Sequence, residues 1–376
     1  MTISATTQGI KPGVCLSTNK PANPFDGQVI YMTDVDQTAV WDGTQWTVLA
    51  PIAGNRNVLI NGGLDVWQRG TSFTTGGVYS ADRFIIGRSG GGSGATFTRV
   101  SPSDSTNLPF FRYAMRCQRD SGNTATNGLT FNQVVETANS IRLAGKQVTL
   151  SFYARCGANY TTGTNFYSYV FTGTGTDQNG VLGAWTGSAN PINASHTLTT
   201  TWQRFSATGT FSSTANEIFI SISSAHTGTA GANDWFEITG VQLEAGAVAT
   251  PFEFEDYGTT LQKCQRYYEK TYDSGTAPGT ATYNGMFTSG NFSNATNNSI
   301  IAVRFKVEKR ASPTMTAYKP ADGASGSWGY SRSGASGSST VSFDLLATTG
   351  CRAYHDIGAA WTGNVVEAHW VASAEL

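Results

Sequence analysis

The chain has 376 residues, of which only 13% are charged, against roughly a quarter in an average soluble protein, and 24 basic and 25 acidic side chains leave a net charge of −1. Near-neutrality without charge blocks excludes electrostatic tails and makes nucleic acid an unexpected partner. Forty-three glycines, 12% aromatics, plentiful Ser, Thr and Asn, and no Ala/Glu/Lys/Leu heptads exclude a long coiled coil and point to an all-β chain with many turns.

Residues 1–54 form the first block. The opening MTISATTQGIKPG has no basic segment followed by an apolar one, so a secretory signal is not expected. After Pro12, Pro21 and Pro24, the stretches QVIYMT, TAVW and WTVL read as the strands of a small β-meander, the last two joined through Asp42-Gly43. So short a block cannot bury an adequate core alone, and another chain is expected to stabilise it.

Residues 55–258 form the second block. In VTLSFYAR, Val148, Leu150, Phe152 and Ala154 share one face, with Thr149, Ser151, Tyr153 and Arg155 on the other; EIFISIS turns Ile218, Ile220 and Ile222 inward. In WFEITGVQLE, Phe236 and Ile238 share one parity, while Val241 and Leu243 share the other. A β-bulge at Gly240 would bring all four to the same side. Turns are expected at Gly90-Gly91-Gly92, Ser121-Gly122-Asn123, Gly173-Thr174-Gly175 and Asn190-Pro191. The spacing predicts a jelly-roll-type β-sandwich.

Residues 259–376 form the third. TLQKCQRYYEK repeats Leu261, Cys264 and Tyr268 at helical spacing and predicts one short linking helix. IIAVRFKVEKR predicts a strand with Ile301, Val303, Phe305 and Val307 on one face, ADGASGSWGYSRSGASGSST a loop or hairpin arm, and VSFDLL and VVEAHW closing strands of a C-terminal β-sandwich. The ending Ala374-Glu375-Leu376 is expected to be packed.

Candidates for chemistry are few. His196, His226, His355 and His369 carry no partner motif and read as surface or turn residues, His369 on the outward parity of its strand. Asp34 and Asp36, and Glu253, Glu255 and Asp256, are acid groups of the kind glycan hydrolysis needs in opposed pairs, yet turn and capping roles suit them better. GGGSG at Gly90–Gly94 lacks the lysine of a phosphate loop. Lys306, Lys309 and Arg310 read as a solvated strand edge. Five dispersed cysteines (Cys15, Cys117, Cys156, Cys264, Cys351) read as small buried thiols. No catalytic residue, metal or cofactor is expected, and no apolar run reaches the ~20 residues that span a bilayer, so no membrane insertion is expected. The binding candidates are Trp185, Trp328 and Tyr330, aromatics in Gly/Ser/Asn-rich sequence whose rings could stack on sugars; each could equally anchor its loop in a core or interface.

The stretches NVLINGGLDVWQRGTSF (Asn57–Phe73), SADRF (Ser80–Phe84), SFYAR (Ser151–Arg155), WQRF (Trp202–Phe205), FEITGVQLEAGAVATPFE (Phe236–Glu253) and CQRYYEK (Cys264–Lys270) resemble, in order, a module of bacteriophage tail-fibre and other virion proteins. SFYAR, WQRF and VQLE are also similar to jelly-roll carbohydrate-binding modules. PANPFDGQVIYMTDVDQTAVWDGTQW and the final SAEL resemble segments near the ends of phage structural proteins. The resemblance implies a homotrimeric virion component without catalytic residues. It would join other virion proteins through residues 1–54 and recognise host-surface polysaccharide with its β-domains. The alternative is a structural adaptor, collar appendage or capsid decoration without receptor binding. It also implies that Trp67, Arg69, Asp82, Arg83 and Trp202 pin strands together, a buried Asp82 or Arg83 being costly to leave unpaired.

Overall fold

The computed structural model describes residues 13–34, 37–49, 56–88, 94–104, 106–108, 110–126, 128–161, 166–289, 298–332, 335–356 and 365–376. The N-terminal sheet holds β1 (Gly13–Cys15), β2 (Val29–Met32), β3 (Gln37–Trp41) and β4 (Trp46–Leu49) in that order. The expected meander is β2–β4, and β1 adds a parallel strand at its edge. At the β3–β4 turn Gly43 takes φ 98°, and Asp42 accepts from the Thr44 and Gln45 amides and the Thr44 and Thr47 hydroxyls. Those donors hold its carboxyl well below the usual carboxylate range. One face buries Ile30, Met32 and Ala39 against Cys15, Trp46 and Val48, while Val14, Val29 and Leu49 on the other stay exposed.

The second block runs β5 (Ser72–Phe73), β6 (Val78–Tyr79), β7 (Phe84–Arg88), β8 (Ala95–Val100), β9 (Ala114–Arg119), β10 (Leu129–Val135), a short helix α1 (Thr137–Ser140), β11 (Gln147–Cys156), β12 (Phe166–Gly173), β13 (Ala189–His196), β14 (Gln203–Thr210), β15 (Glu217–Ser224) and β16 (Trp235–Ala245). They form two six-stranded sheets, β13-β12-β15-β10-β7-β6 and β14-β11-β16-β9-β8-β5, which confirms the β-sandwich. Between the sheets lie Phe84, Phe97, Phe131, Phe152, Phe166 and Phe236 with the expected Val148, Leu150, Ala154, Ile218, Ile220 and Ile222. The bulge at Gly240 is present. Ser151 pairs with Gln242 and Tyr153 with Thr239, so two residues of β16 oppose Phe152 alone. Phe236, Ile238, Val241 and Leu243 are all fully buried as a result. Asn190-Pro191 is not a turn but the start of β13, where an edge strand tolerates a missing amide donor.

The third block opens with α2 (Tyr257–Gln265), capped by the Asp256 carboxylate accepting from the Thr259 amide. The helix is shorter than its apolar spacing suggested, for Tyr268 already lies in β17 (Tyr268–Lys270). The remaining strands are β18 (Phe287–Ser289), β19 (Asn298–Arg304), β20 (Thr314–Tyr318), β21 (Ser327–Arg332), β22 (Ala335–Thr340), β23 (Ser342–Ala347), β24 (Gly350–Asp356) and β25 (Val365–Ser373). β25 is the hub, pairing with β17, β18, β20 and β21, and β19-β24-β23 make a second sheet. The strand read through Lys309 stops at Arg304. Lys306 is exposed as expected, but Lys309 and Arg310 are not part of a solvated edge, for chain beyond the strand folds back. Lys309 is fully buried with its Nζ 2.6 Å from Glu269, and Arg310 donates to the Ala374 and Glu375 carbonyls.

The second and third blocks meet at a buried ionic cluster. Arg83, 1% exposed and at φ 72°, ion-pairs with Glu375, donates to the Val134 carbonyl at 2.8 Å and lies 3.6 Å over the Tyr267 ring. Arg69 donates to the other Glu375 oxygen at 2.7 Å and lies 3.5 Å over Tyr268. Asp82 takes the Gln68 amide at 2.9 Å. Two of the residues that the motif resemblance singled out, Arg69 and Arg83, thus pin the two blocks together, and Asp82 holds Gln68, whose Nε2 donates to the Tyr268 carbonyl at 2.8 Å.

Two substitutions test this architecture. A Cβ on Gly240 would stand 2.7 Å from Phe111 and 2.8 Å from Tyr153, at a φ of 60°. Gly240→Ala should cost about 1–3 kcal/mol by chemical denaturation, and an unchanged midpoint would show that the bulge accepts a side chain. Glu375→Ala leaves Arg83 buried without its carboxylate and should cost about 3–5 kcal/mol, whereas Arg83→Met combined with Glu375→Leu removes both members of the buried pair, leaves Arg69 with Asp82 at 3.7 Å, and should cost less. Equal losses in the two variants would contradict the pairing account.

Candidate functional site

The feature of the surface most suited to binding is a row of aromatic rings on the outer face of the β13-β12-β15 sheet. Strand β12 reads FYSYVFTG. Phe166, Ser168 and Val170 point into the sandwich and are fully buried, so Tyr167, Tyr169 and Phe171 point out and are half-buried. Tyr167 and Tyr169 lie 5.7 Å apart with planes 21° apart, and Tyr169 and Phe171 5.8 Å and 34°. Phe171 pairs across to Phe219 of β15, the rings stacked at 4.5 Å and 16°. Trp185 extends the row, turned 81° to Phe219 at 5.1 Å.

The row is flanked by neutral hydrogen-bonding groups. Tyr167 sits between Ser195 and Ser223, and Tyr169 between Asn193 and Ser221. Burial, and then the neighbouring Tyr167, push the Tyr169 phenol up, so its hydroxyl stays protonated and able to donate. Such a surface offers stacking and directional hydrogen bonds without removing a charge from water.

Trp185 is carried by the loop between β12 and β13, residues 174–188. Its indole Nε1 donates to the Thr172 carbonyl at 3.2 Å. A Cβ on Gly173 would lie 2.8 Å from the indole, and one on Gly180 2.7 Å from both the indole and Phe219, so only glycine lets the ring settle there. The loop is tied at several points. Thr174 donates to the Thr186 carbonyl at 2.9 Å, Asn179 donates to the Leu376 carbonyl at 2.6 Å, and Asp177 accepts from the Thr137 amide at 2.9 Å and pairs with Arg310 at 3.2 Å.

Of the three binding candidates read from the sequence, Trp185 takes its place in the row. Trp328 requires correction. The segment expected as a loop or hairpin arm is a hairpin of β21 and β22, but Trp328 is 1% exposed in a core with Val303, Ala353, Val366 and Trp370, where no ligand can reach it. The Tyr330 backbone pairs with Gly337 and Val366; its side chain lies outside the described residues. Tyr167, Tyr169, Phe171 and Phe219 went unread. The signal was present in YSYVF, where the parity opposite to Val170 is wholly aromatic.

The other candidates have structural roles. His226 and His369 are buried, not surface residues. Ser224, His226 and Asp234 stand in the order of an acyl-transfer triad, with Ser224 Oγ 2.8 Å from His226 Nε2 and His226 Nδ1 3.7 Å from Asp234 Oδ1. All three are buried, and the other Asp234 oxygen is spent on Arg119 at 2.7 Å. Burial pushes the imidazole down to about 4, so it stays neutral. His369 stacks on Tyr272 at 3.7 Å with Nδ1 3.0 Å from the Thr271 hydroxyl. His196 is partly buried, 2.8 Å from Ser168 Oγ, and the His355 side chain, Asp36 and Gly90–Gly92 lie outside the described residues. Asp34 caps Ser17. Glu253 accepts from the Asn57 amide and Glu255 from the Thr260 hydroxyl. These acids line a cavity of about 190 Å³ with Asp65, Phe252 and Phe254. Among the described residues no group of three or more His, Cys, Asp or Glu converges as a metal site, and no helix is long and apolar enough to cross a membrane.

No protein-family model matches the chain, and no curated protein is significantly similar to it. Solved structures are similar at low identity, among them β-sandwich carbohydrate-binding modules and a phage tailspike domain. Tailspike protein 4 of bacteriophage CBA120, solved as its enzymatically active domain, aligns over 50% of this chain and 21% of its own at 14% identity and a TM-score of 0.31. The chain thus spans about a fifth of that domain's chain. A CBM4 module aligns over 49% of this chain and 97% of its own, at 19% identity and a TM-score of 0.32. A CBM61 module in complex with β-1,4-galactotriose aligns over 51% and 99%, at 14% and 0.30.

Proposed function

We propose that this chain is a non-enzymatic virion fibre protein, homotrimeric in the particle, that binds a host-surface glycan along the row from Tyr167 to Trp185. The observation that carries the reading is the row itself: five rings in mutual contact on the outside of a sheet, flanked by Ser and Asn. Rings with exposed faces stack on the apolar faces of sugars, and the flanking groups match their hydroxyls. The non-enzymatic part of the reading comes from the sequence resemblance, which implies no catalytic residues. The virion assignment rests on the six ordered motifs of the sequence.

A second reading, a structural adaptor without receptor binding, draws on the N-terminal sheet. Its apolar face with Val14, Val29 and Leu49, and the neighbouring Phe25, are exposed, as expected of a surface that another virion protein covers. The two readings are compatible, one assigning attachment to residues 1–54 and the other recognition to the sandwich.

Binding to soluble β-glucan, galactan, xylan and mannan, and to host envelope fractions, tests the first. Tyr169→Ala should weaken the tightest of these interactions about tenfold with little loss of stability; unchanged binding would remove the row from consideration. Deleting residues 1–54 should abolish incorporation into particles while leaving a folded, glycan-binding remainder. Truncated protein that still enters particles would overturn the attachment role.

A further inference from the structure

Glu217 begins β15 on the same face as Phe219, two residues away, and is 1% exposed. It lies under the loop that carries Trp185. One carboxylate oxygen accepts from the Gln178 amide at 2.5 Å, and the other is buried without a hydrogen-bond partner. Gln178 passes the restraint on. Its side-chain oxygen accepts from the Thr186 amide at 2.8 Å and its Nε2 donates to the Thr186 hydroxyl at 3.0 Å, next to Trp185.

We infer that Glu217 is the positioning residue of the aromatic row, holding the 174–188 loop and its indole in the binding arrangement; this rests on the row being the ligand surface. The hold is a chain of hydrogen bonds: the Glu217 carboxylate accepts the Gln178 amide, and the Gln178 side chain grips Thr186, the neighbour of Trp185.

Glu217→Ala leaves the Gln178 amide without its acceptor, whereas Glu217→Gln keeps the size and one acceptor oxygen. Amide hydrogen exchange of residues 174–188 should be about fivefold faster in Glu217→Ala than in wild type and return close to wild type in Glu217→Gln. Affinity for β-glucan, galactan, xylan or mannan should fall about fivefold in Glu217→Ala and be restored in Glu217→Gln. Loop exchange in Glu217→Ala equal to wild type would overturn the assignment. A Tyr169→Ala variant that binds as wild type would overturn the row as ligand surface instead. The exchange measurement needs no ligand and decides the role of Glu217 in either case.

Discussion

A buried guanidinium with one carboxylate to answer it governs how this molecule is put together. Arg83 sits in the turn before β7, and its partner, Glu375, is 292 residues away. Without that carboxylate the charge would be stranded in an apolar interior, at a cost of several kcal/mol. The segment after β25 is therefore fixed against the sandwich, with Tyr267 and Tyr268 packed under the two arginines. What is fixed there reaches the candidate site. Leu376 accepts from Asn179 of the Trp185 loop, and Arg310 ties the Ala374 and Glu375 carbonyls to Asp177 of the same loop. The third block thus buttresses the aromatic row without contributing a ring to it.

The row follows from a second constraint, the two-sidedness of β12. A strand with one buried face ordinarily alternates apolar and polar residues. In β12 the inward set of Phe166 and Val170 fills the sandwich, and Tyr167, Tyr169 and Phe171 remain outside, where a lone monomer would favour polar side chains. The flanks of this face are uncharged, Ser and Asn standing where Lys and Glu could. Such a face meets a neutral polyol with little desolvation of charge.

Much of the fold was legible because it rests on local periodicity. The alternation in β11 and β15 named the core residues, and the parity switch at Gly240 named the bulge, since a one-residue slip reverses every later side chain. Legibility failed where distant chain decides burial. Nothing near Lys309 announces Glu269, 40 residues away, and His369 is inward because Tyr272 and Thr282 cover it. Trp328 was read as a loop residue from its Gly and Ser neighbours, but those small residues form a hairpin that turns the indole into the core. At the site, Trp185 was found by its loop composition. Its four companions were not, for an aromatic in a strand looks like core until its parity is compared with that of its neighbours.

The account's central claim is that ligand lies on the outer face of β12 and β15. A structure of the protein with an oligosaccharide from host envelope tests this most directly. The account predicts sugar rings against Tyr167, Tyr169, Phe171 and Trp185, with hydroxyls reaching Asn193 and Ser195. Sugar bound instead at the Phe111, Phe252 and Phe254 cluster of the opposite sheet, with the row bare, would contradict it.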